Sequence, residues 1–217
     1  MRMRKKKHAD ERIAACSDIM LNFEGEEELL PDDPFLNNKT LHMEIGCGKG
    51  GFICELARQN PDISYIAVEK ISNVIVTALE RAKAEGLENI RFIMSDAAKV
   101  CEKLPEHSIG RLYLNFSDPW PKKGYAKRRL THRGFLEKYK RILSPDGAIF
   151  FKTDNRGLFD FSLEEFAEEN FRLEALTYDL HNSEYAVGNI MTEYEKNFVG
   201  MGIPINRVEA YLDNGDK

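Results

Sequence analysis

The sequence predicts an α/β protein with a mostly parallel, seven-stranded sheet and helices on both faces. Short runs typical of strands alternate with longer runs typical of helices, which is the pattern of βαβ units. The chain has 217 residues, of which 42% are apolar and 31% charged, and this size and composition are typical of one globular domain. We therefore expect a single domain over residues 36–217, preceded by a basic, partly ordered segment over residues 1–35.

Local patterns place the individual elements in chain order. The strands are predicted at residues 40–46, 64–70, 89–96, 111–116, 148–154, 171–178 and 207–212. The helices are predicted at residues 50–60, 72–86, 131–143 and 157–169. Ser72 is a good helix-capping residue, and Gly86 suits a left-handed position at the end of the same helix. Pro145 predicts a turn over residues 144–147, just before the fifth strand.

Composition excludes several classes of protein. No apolar run approaches the roughly 18 residues that would span a membrane. The start, MRMRKKKH, has the charge of a secretion signal, but acidic residues stand where an apolar stretch should follow. The four cysteines form no C-x-x-C pair and have no histidine at zinc-finger spacing, which favours reduced thiols and no metal site. We expect a cytoplasmic protein without a membrane segment.

Charge is segregated along the chain. The net charge is −5, yet residues 122–141 contain nine basic residues and one acidic residue. A basic stretch of this kind is typical of nucleic-acid binding, although it also fits the solvated face of a helix. The N-terminal MRMRKKKH is either a second RNA-binding arm or a soluble tail.

Five acidic residues lie at the ends of five predicted strands, where open α/β sheets bind their ligands. They are Glu44, Glu69, Asp96, Asp118 and Asp154. Each one alone fits a loop carboxylate or a helix cap. Five at one edge would repel each other unless a cationic or donor-rich ligand lay between them.

The glycine loop GCGKGG, residues 46–51, fits the motifs of both dinucleotide and S-adenosylmethionine binders. Glu69 suits the hydroxyl groups of a ribose in either case. Glu44 and Asp118 would repel a pyrophosphate but would attract the sulfonium and ammonium groups of S-adenosylmethionine. Asp96, with its neighbour Ala97, is placed to accept from an adenine amino group. The sequence therefore favours S-adenosylmethionine, with a nicotinamide oxidoreductase as the alternative.

Three motifs together resemble the bacterial tRNA (guanine-N7)-methyltransferase family, which has a Rossmann-like class I methyltransferase fold. They are EIGCGKG, DPWPKKGYAKRR and TEYE, and the resemblance extends from about residue 40 to the end of the chain. It implies a catalytic role for Asp118. It implies that the cofactor contacts are Glu44, Gly46, Gly48, Glu69, Asp96, Ala97 and Asp118. It implies that the substrate contacts are Lys122, Asp154, Thr192, Glu193, Tyr194 and Glu195. It implies that the RNA-contacting segment is Gly124, Tyr125, Ala126, Lys127, Arg128 and Arg129.

One departure from the family pattern is visible. Relatives often read K-K-R-H-x-K-R-R where this chain has Gly124, Tyr125 and Ala126 after its paired lysines, so one basic residue and a histidine are absent. Any role that they play would fall to neighbouring residues.

The resemblance implies methyl transfer from S-adenosylmethionine to N7 of a guanosine in the tRNA variable loop, at tRNA position 46. Guanine N7 has an exposed lone pair, so Asp118 is expected to hold the reactants, with proton abstraction as the alternative. Trp120 or Tyr125 would stack on the base, unless Trp120 is a core residue. Thr192 and Glu195 would contact the guanine edge, form a capping box, or both.

Other assignments stay open in the sequence. A protein that binds RNA and S-adenosylmethionine without turnover is an alternative of another class. The chain is expected to be a monomer or a homodimer. His42, His107, His132 and His181 have no ligand spacing and receive no chemical role.

Overall fold

The computed structural model describes residues 8–21, 35 and 40–212. Of the predicted basic, partly ordered segment over residues 1–35, residues 1–7 and 22–34 lie outside the described residues. The strands are β1 (Thr40–Ile45), β2 (Ile63–Val68), β3 (Ile90–Ile93), β4 (Ile109–Asn115), β5 (Leu143–Thr153), β6 (Phe171–Thr177) and β7 (Asn206–Leu212). The helices are α1 (Ala9–Ala14), α2 (Gly51–Gln59), α3 (Ser72–Ala84), α4 (Ala97–Lys103), α5 (Arg133–Ile142), α6 (Arg156–Glu168) and α7 (Glu193–Gly200).

The seven strands form one mixed sheet, and the predicted α/β class is confirmed. The chain divides into two compact units, Met1–Pro105 and Glu106–Lys217. In the first unit the strand order is β3-β2-β1, and both pairings are parallel. In the second unit the order is β4-β5-β7-β6. There β4 and β5 are parallel, whereas β7 runs antiparallel to both of its neighbours.

The strands of the first unit are buried in its core. In β1 and β2 every residue after the first is buried, including the polar His42, Glu44 and Ser64, as expected for strands covered on both faces. Helix α3 buries apolar residues at three- and four-residue steps, among them Ile75, Ala78 and Leu79. Helix α1 is held to α3 by an ion pair between Arg12 and Glu80, with Nε and Oε1 2.7 Å apart.

The fifth strand begins earlier than the sequence predicts. Ile109 pairs with Leu143 and Arg111 pairs with Ala148, so residues 144–147 bulge out of the ladder as the predicted turn inside a longer strand. A Cβ on Gly147 would lie 2.8 Å from the Ser144 carbonyl oxygen, so this tight bulge accepts only glycine there. Helix α4 was not predicted, because its seven residues carry little periodic signal.

Candidate functional site

The first candidate site is the glycine loop that follows β1. Gly46, Gly48 and Gly50 all have positive φ angles, at 78°, 60° and 78°, a region that favours glycine. The loop is fixed to the end of β2, because the amides of Gly46 and Cys47 donate to the Val68 carbonyl at 2.8 and 3.0 Å.

Two of these glycines border open space. A Cβ on Gly46 would meet no atom within 4 Å, and one on Gly48 would meet only the Gly46 oxygen, at 4.0 Å. A Cβ on Gly50 would instead lie 2.8 Å from the Cβ of Ala78 in α3. Gly50 therefore permits close packing against a helix, while Gly46 and Gly48 leave room for a ligand beside the backbone.

Glu69 is held at the edge of this loop. Its Oε2 accepts from the Gly48 amide at 3.2 Å and its Oε1 accepts from the Ile71 amide at 2.9 Å. Each oxygen keeps a second lone pair, so the carboxylate is oriented while it retains the capacity to accept from a ligand hydroxyl.

Two carboxylates, those of Glu44 and Glu69, lie close enough to the loop for their charges to act on Cys47. Glu44 lies in β1 and is only 2% exposed. Burial, followed by the charges of Glu44 and Glu69, raises the pKa of the Cys47 thiol well above its ordinary value. Burial, followed by the charge of Glu85, raises the pKa of Cys54 to about 12. Both thiols therefore stay protonated at neutral pH and are not nucleophiles.

Asp96 occupies the next strand end of the first unit. Val68 pairs with Ile93, so Glu69 and Asp96 follow adjacent parallel strands. Asp96 caps α4, since its Oδ1 accepts from the Ala98 amide at 3.0 Å, and its residue remains exposed. The adjacent Ala97 is buried. The capping role is established by this geometry, and the predicted adenine contact stays a prediction.

The second candidate site begins with the loop after β4, residues 116–121. Phe116 and Trp120 both have positive φ angles, 52° and 41°, which is unfavourable for residues with bulky side chains. The Phe116 amide donates to the Lys152 carbonyl at 2.9 Å, and its ring stacks on Phe198 of α7 with centroids 6.1 Å apart. Tertiary contacts thus hold the loop in a conformation that its residues would not adopt alone.

Asp118 is exposed on this loop. Within the part of the chain that the structure describes, its carboxylate makes no hydrogen bond or ion pair. The neighbouring Ser117 Oγ is buried, and no described residue hydrogen-bonds to it. Asp154, half-buried, follows β5, whose Lys152 pairs with Asn115 of β4. Asp118 and Asp154 therefore follow adjacent parallel strands of the second unit.

Arg129 braces the same loop. Its Nε donates to the Pro119 carbonyl and its Nη2 to the Trp120 carbonyl, both at 3.0 Å. Its guanidinium also lies 4.2 Å from the centroid of the Phe161 ring. The planar guanidinium suits this paired recognition of two carbonyl oxygens, so Arg129 has a structural task beside its predicted contact with RNA.

Trp120, Tyr125 and Arg128 form an aromatic and cationic cluster on the surface. Trp120 is only partly buried, so it is not the core residue that the sequence left open. Its ring meets Tyr125 edge-on with centroids 6.0 Å apart, and Arg128 lies 4.9 and 4.7 Å from the two ring centroids. Tyr125 is 43% exposed, so its ring is accessible to a ligand.

The basic stretch divides into two parts with different partners. Arg133 pairs with Glu165 at 2.7 Å, and Lys140 pairs with Glu169 at 2.7 Å, so these bases are neutralised beside helix α6. Three exposed lysines make no ion pair with any residue that the structure describes: Lys122, Lys123 and Lys127. These three unpaired lysines lie on and just before the 3₁₀ helix Lys123–Arg128, whereas Arg133 and Lys140 belong to α5.

The TEYE motif starts helix α7 with the predicted capping box. The Glu195 amide donates to Thr192 Oγ1 at 3.0 Å, and the Thr192 amide donates to Glu195 Oε2 at 3.3 Å, so the capping box is confirmed. Glu193 and Tyr194 are exposed. Glu195 is fully buried, which favours a supporting role. Its predicted contact with substrate stays a prediction.

Glu195 has two partners that the sequence did not predict. Lys152 Nζ lies 2.7 Å from Glu195 Oε2, and His181 Nε2 lies 3.0 Å from Oε1, although His181 was assigned no role. The signal available in the sequence was a lysine inside the apolar strand AIFFKT, because a buried lysine requires a partner.

None of the helices in the described residues is both long and apolar enough to cross a membrane. The same residues contain no group of three or more histidine, cysteine or acidic side chains arranged to hold a metal ion.

The fold is similar to that of solved methyltransferases. A solved structure of a SAM-dependent methyltransferase from Aquifex aeolicus aligns with a TM-score of 0.55 at 13% identity, over 95% of this chain and 100% of that chain. The fold is therefore that of the S-adenosylmethionine-dependent methyltransferases.

Sequence comparison defines the family. The model of a family described as "Putative methyltransferase" matches residues 38–208. The tRNA (guanine-N(7)-)-methyltransferase of Brevibacillus brevis is 50% identical over 176 residues, 81% of this chain and 82% of that protein. The tRNA (guanine-N(7)-)-methyltransferase of Bacillus velezensis is 46% identical over 217 residues, 100% of both chains. The chain belongs to the tRNA (guanine-N7)-methyltransferase family, as its motifs predicted.

Proposed function

We propose that this protein transfers a methyl group from S-adenosylmethionine to N7 of a guanosine in the variable loop of tRNA, at tRNA position 46. The observation that carries the proposal is Asp118, an exposed carboxylate without a partner among the described residues, on a loop followed directly by unpaired lysines. Relatives that match over most of their length are named for this activity. A tRNA substrate implies that the enzyme acts in the cytoplasm.

The first unit is proposed to bind S-adenosylmethionine through its glycine loop. The cofactor supplies a methyl group bonded to a positively charged sulfur. Gly46 and Gly48 leave space beside the backbone, and Glu69 is oriented to accept from ribose hydroxyls. The buried Glu44 supplies negative charge to a cationic ligand, and Asp96 accepts from the adenine amino group.

Asp118 is proposed to orient the guanine. Guanine N7 attacks with its own lone pair, so no proton has to be removed before the new bond forms. Orientation then supplies much of the acceleration, and in well-oriented systems this gain reaches about 7–11 kcal/mol. A carboxylate accepts well from the N1 and N2 hydrogens of guanine, which gives Asp118 a means of fixing the base.

The segment Lys122–Arg129 is proposed to bind the RNA backbone and to stack on a base. Lys122, Lys123 and Lys127 are exposed and available to phosphates. Unstacking a base from the RNA costs a few kcal/mol of free energy. Stacking of that base on an aromatic side chain stabilises the complex by about 1–3 kcal/mol. The exposed ring of Tyr125 is the candidate for this contact, at the position of the histidine found in relatives.

The direct test is methyl transfer to unmodified tRNA transcripts from labelled S-adenosylmethionine, followed by nuclease digestion and chromatography. The expected product is 7-methylguanosine at a single position in the variable loop. Label at another atom or another nucleotide would contradict the proposal. Binding of S-adenosylhomocysteine without any transfer would instead favour the non-catalytic binding protein.

Calorimetry distinguishes the methyltransferase from the remaining alternative, a nicotinamide oxidoreductase. We expect S-adenosylhomocysteine to bind and NADH not to bind, because a pyrophosphate would be repelled by the carboxylates around the glycine loop. Tight binding of NADH would favour a nicotinamide oxidoreductase.

A further inference from the structure

The second unit contains a buried polar network that the proposed reaction does not use. At its centre is Glu195, whose side chain is 0% exposed, beside Lys152, whose side chain is 7% exposed. A buried charge is costly unless it is paired and fully hydrogen-bonded. The network therefore needs an explanation beyond the capping of one short helix.

Every acceptor position of the Glu195 carboxylate is occupied. Oε2 accepts from Lys152 Nζ at 2.7 Å and from the Thr192 amide at 3.3 Å. Oε1 accepts from Asn189 Nδ2 at 2.6 Å and from His181 Nε2 at 3.0 Å. Because a carboxylate only accepts, the hydrogen of His181 must reside on Nε2. In this structure four hydrogen bonds from the protein use the acceptor positions of both Glu195 oxygens.

The hydrogen-bond donors of Lys152 are also all used within the network. Its Nζ donates to Asn189 Oδ1 at 3.0 Å, to the Ile190 carbonyl at 3.0 Å and to Glu195, which uses its three hydrogens. The network thus joins strand β5, the segment 180–190 and the start of α7. Asn189 bonds to both members of the ion pair and closes the network.

The exposed residues beside Glu195 acquire their positions from this network. Thr192 is held by the capping box, and Glu193 and Tyr194 follow it, with Tyr194 66% exposed. We propose that Lys152, His181 and Asn189 are positioning residues for tRNA: by fixing Glu195 they fix Glu193 and Tyr194, which contact the target nucleotide. This inference rests on the proposed function and deepens it.

The experiment compares His181→Leu, which removes a donor, with His181→Gln, whose side-chain amide restores one near Nε2. Steady-state methyl transfer to tRNA gives kcat and KM, and calorimetry gives the affinity for S-adenosylhomocysteine. We expect His181→Leu to raise KM for tRNA about tenfold with a smaller change in kcat, and His181→Gln to recover most of that loss. The affinity for S-adenosylhomocysteine should not change.

Ser162→Ala is the matched control. Ser162 forms a buried hydrogen bond of 2.7 Å with Thr131 in the same unit, so its loss destabilises the fold without touching the network. We expect a lower Tm and an unchanged KM for tRNA. An equal rise of KM in Ser162→Ala would show a general effect of instability and overturn the inference.

A paired variant covers the case in which single changes unfold the protein. Lys152→Met leaves the buried Glu195 charge without its cation and should lower the Tm strongly. Adding Glu195→Gln should restore the Tm but not the KM for tRNA. Recovery of both would overturn the inference, as would a normal KM in His181→Leu. If the unaltered protein transfers no methyl group to tRNA, the proposed function fails first and the inference with it.

Discussion

At the level of single residues, Asp118 and Glu195 differ in burial, although the sequence predicts that both lie in the functional site. Asp118 is exposed and without a partner among the described residues, whereas Glu195 is fully buried and accepts four hydrogen bonds. The acceptor positions of Asp118 remain open to a ligand, whereas those of Glu195 are occupied by donors within the protein. Burial and hydrogen bonding therefore favour a contact with a ligand for Asp118 and a supporting role for Glu195.

This difference predicts the effect of Asp118→Asn. The exposed side chain makes no contact that stabilises the described fold, so the free energy of unfolding should change by less than about 0.5 kcal/mol. The rate kcat should fall about a hundredfold or more, because a preorganised charged contact to the base is lost. Asp146, an exposed acid in the bulge of β5, gives the control Asp146→Asn. Normal methyl transfer by Asp118→Asn would reject the catalytic assignment.

At the scale of elements, the loop over residues 116–121 depends on Arg129. Two non-glycine residues with positive φ cost about 1–3 kcal/mol each, and Arg129 offsets part of this through the Pro119 and Trp120 carbonyls. Arg129→Lys keeps the charge but loses the paired geometry. We expect kcat/KM for tRNA to fall about tenfold while its dependence on salt stays unchanged.

Lys127→Arg is the matched control for Arg129→Lys, since it reverses the substitution at a neighbouring residue with no ion pair to any described residue. It should leave kcat/KM near its normal value. If Arg129→Lys keeps full activity, charge alone explains Arg129, and the bracing role is rejected.

Sequence patterns predicted elements wherever the pattern itself is local. Strands β1 and β2 follow from short runs of residues typical of strands, and the capping box of α7 follows from the spacing of Thr192 and Glu195. Helix α4 escaped prediction because it is too short to show periodicity. The network around Glu195 escaped because Lys152 and His181 lie far from it in the sequence, and only the folded chain brings them together.

The ion pairs of the basic stretch also depend on residues that are distant in the sequence. Its composition predicted positive charge for RNA, but the neutralisation of Arg133 and Lys140 depends on Glu165 and Glu169, which lie 32 and 29 residues later in the chain. Burial raises the pKa of Glu165, but the hydrogen bonds and charge of Arg133 outweigh it, and the net pKa is lowered. A carboxylate with a lowered pKa stabilises the fold above its unfolded pKa and loses that contribution as the pH falls.

At the scale of the whole molecule, an acidic protein is proposed to bind a polyanion. The net charge of −5 opposes RNA at long range, so binding has to come from a local excess of positive charge. Each lysine that contacts a phosphate releases counterions and adds about 0.7–0.9 to the slope of log affinity against log salt concentration. In the proposed complex, each of the three unpaired lysines therefore adds to the salt dependence of tRNA binding.

We predict that replacing Lys122, Lys123 and Lys127 together by alanine lowers this slope by about two and weakens tRNA binding at low salt. Affinity for S-adenosylhomocysteine should stay the same, because those residues are distinct from the glycine loop. Lys140→Ala is the control: its ammonium is already paired with Glu169, so the Tm should fall slightly while the slope stays constant. Filter binding of tRNA across a salt series measures both variants. A slope that drops equally in Lys140→Ala would mean that the ion pairs of α5 open on RNA binding, and that the whole basic stretch contacts phosphates.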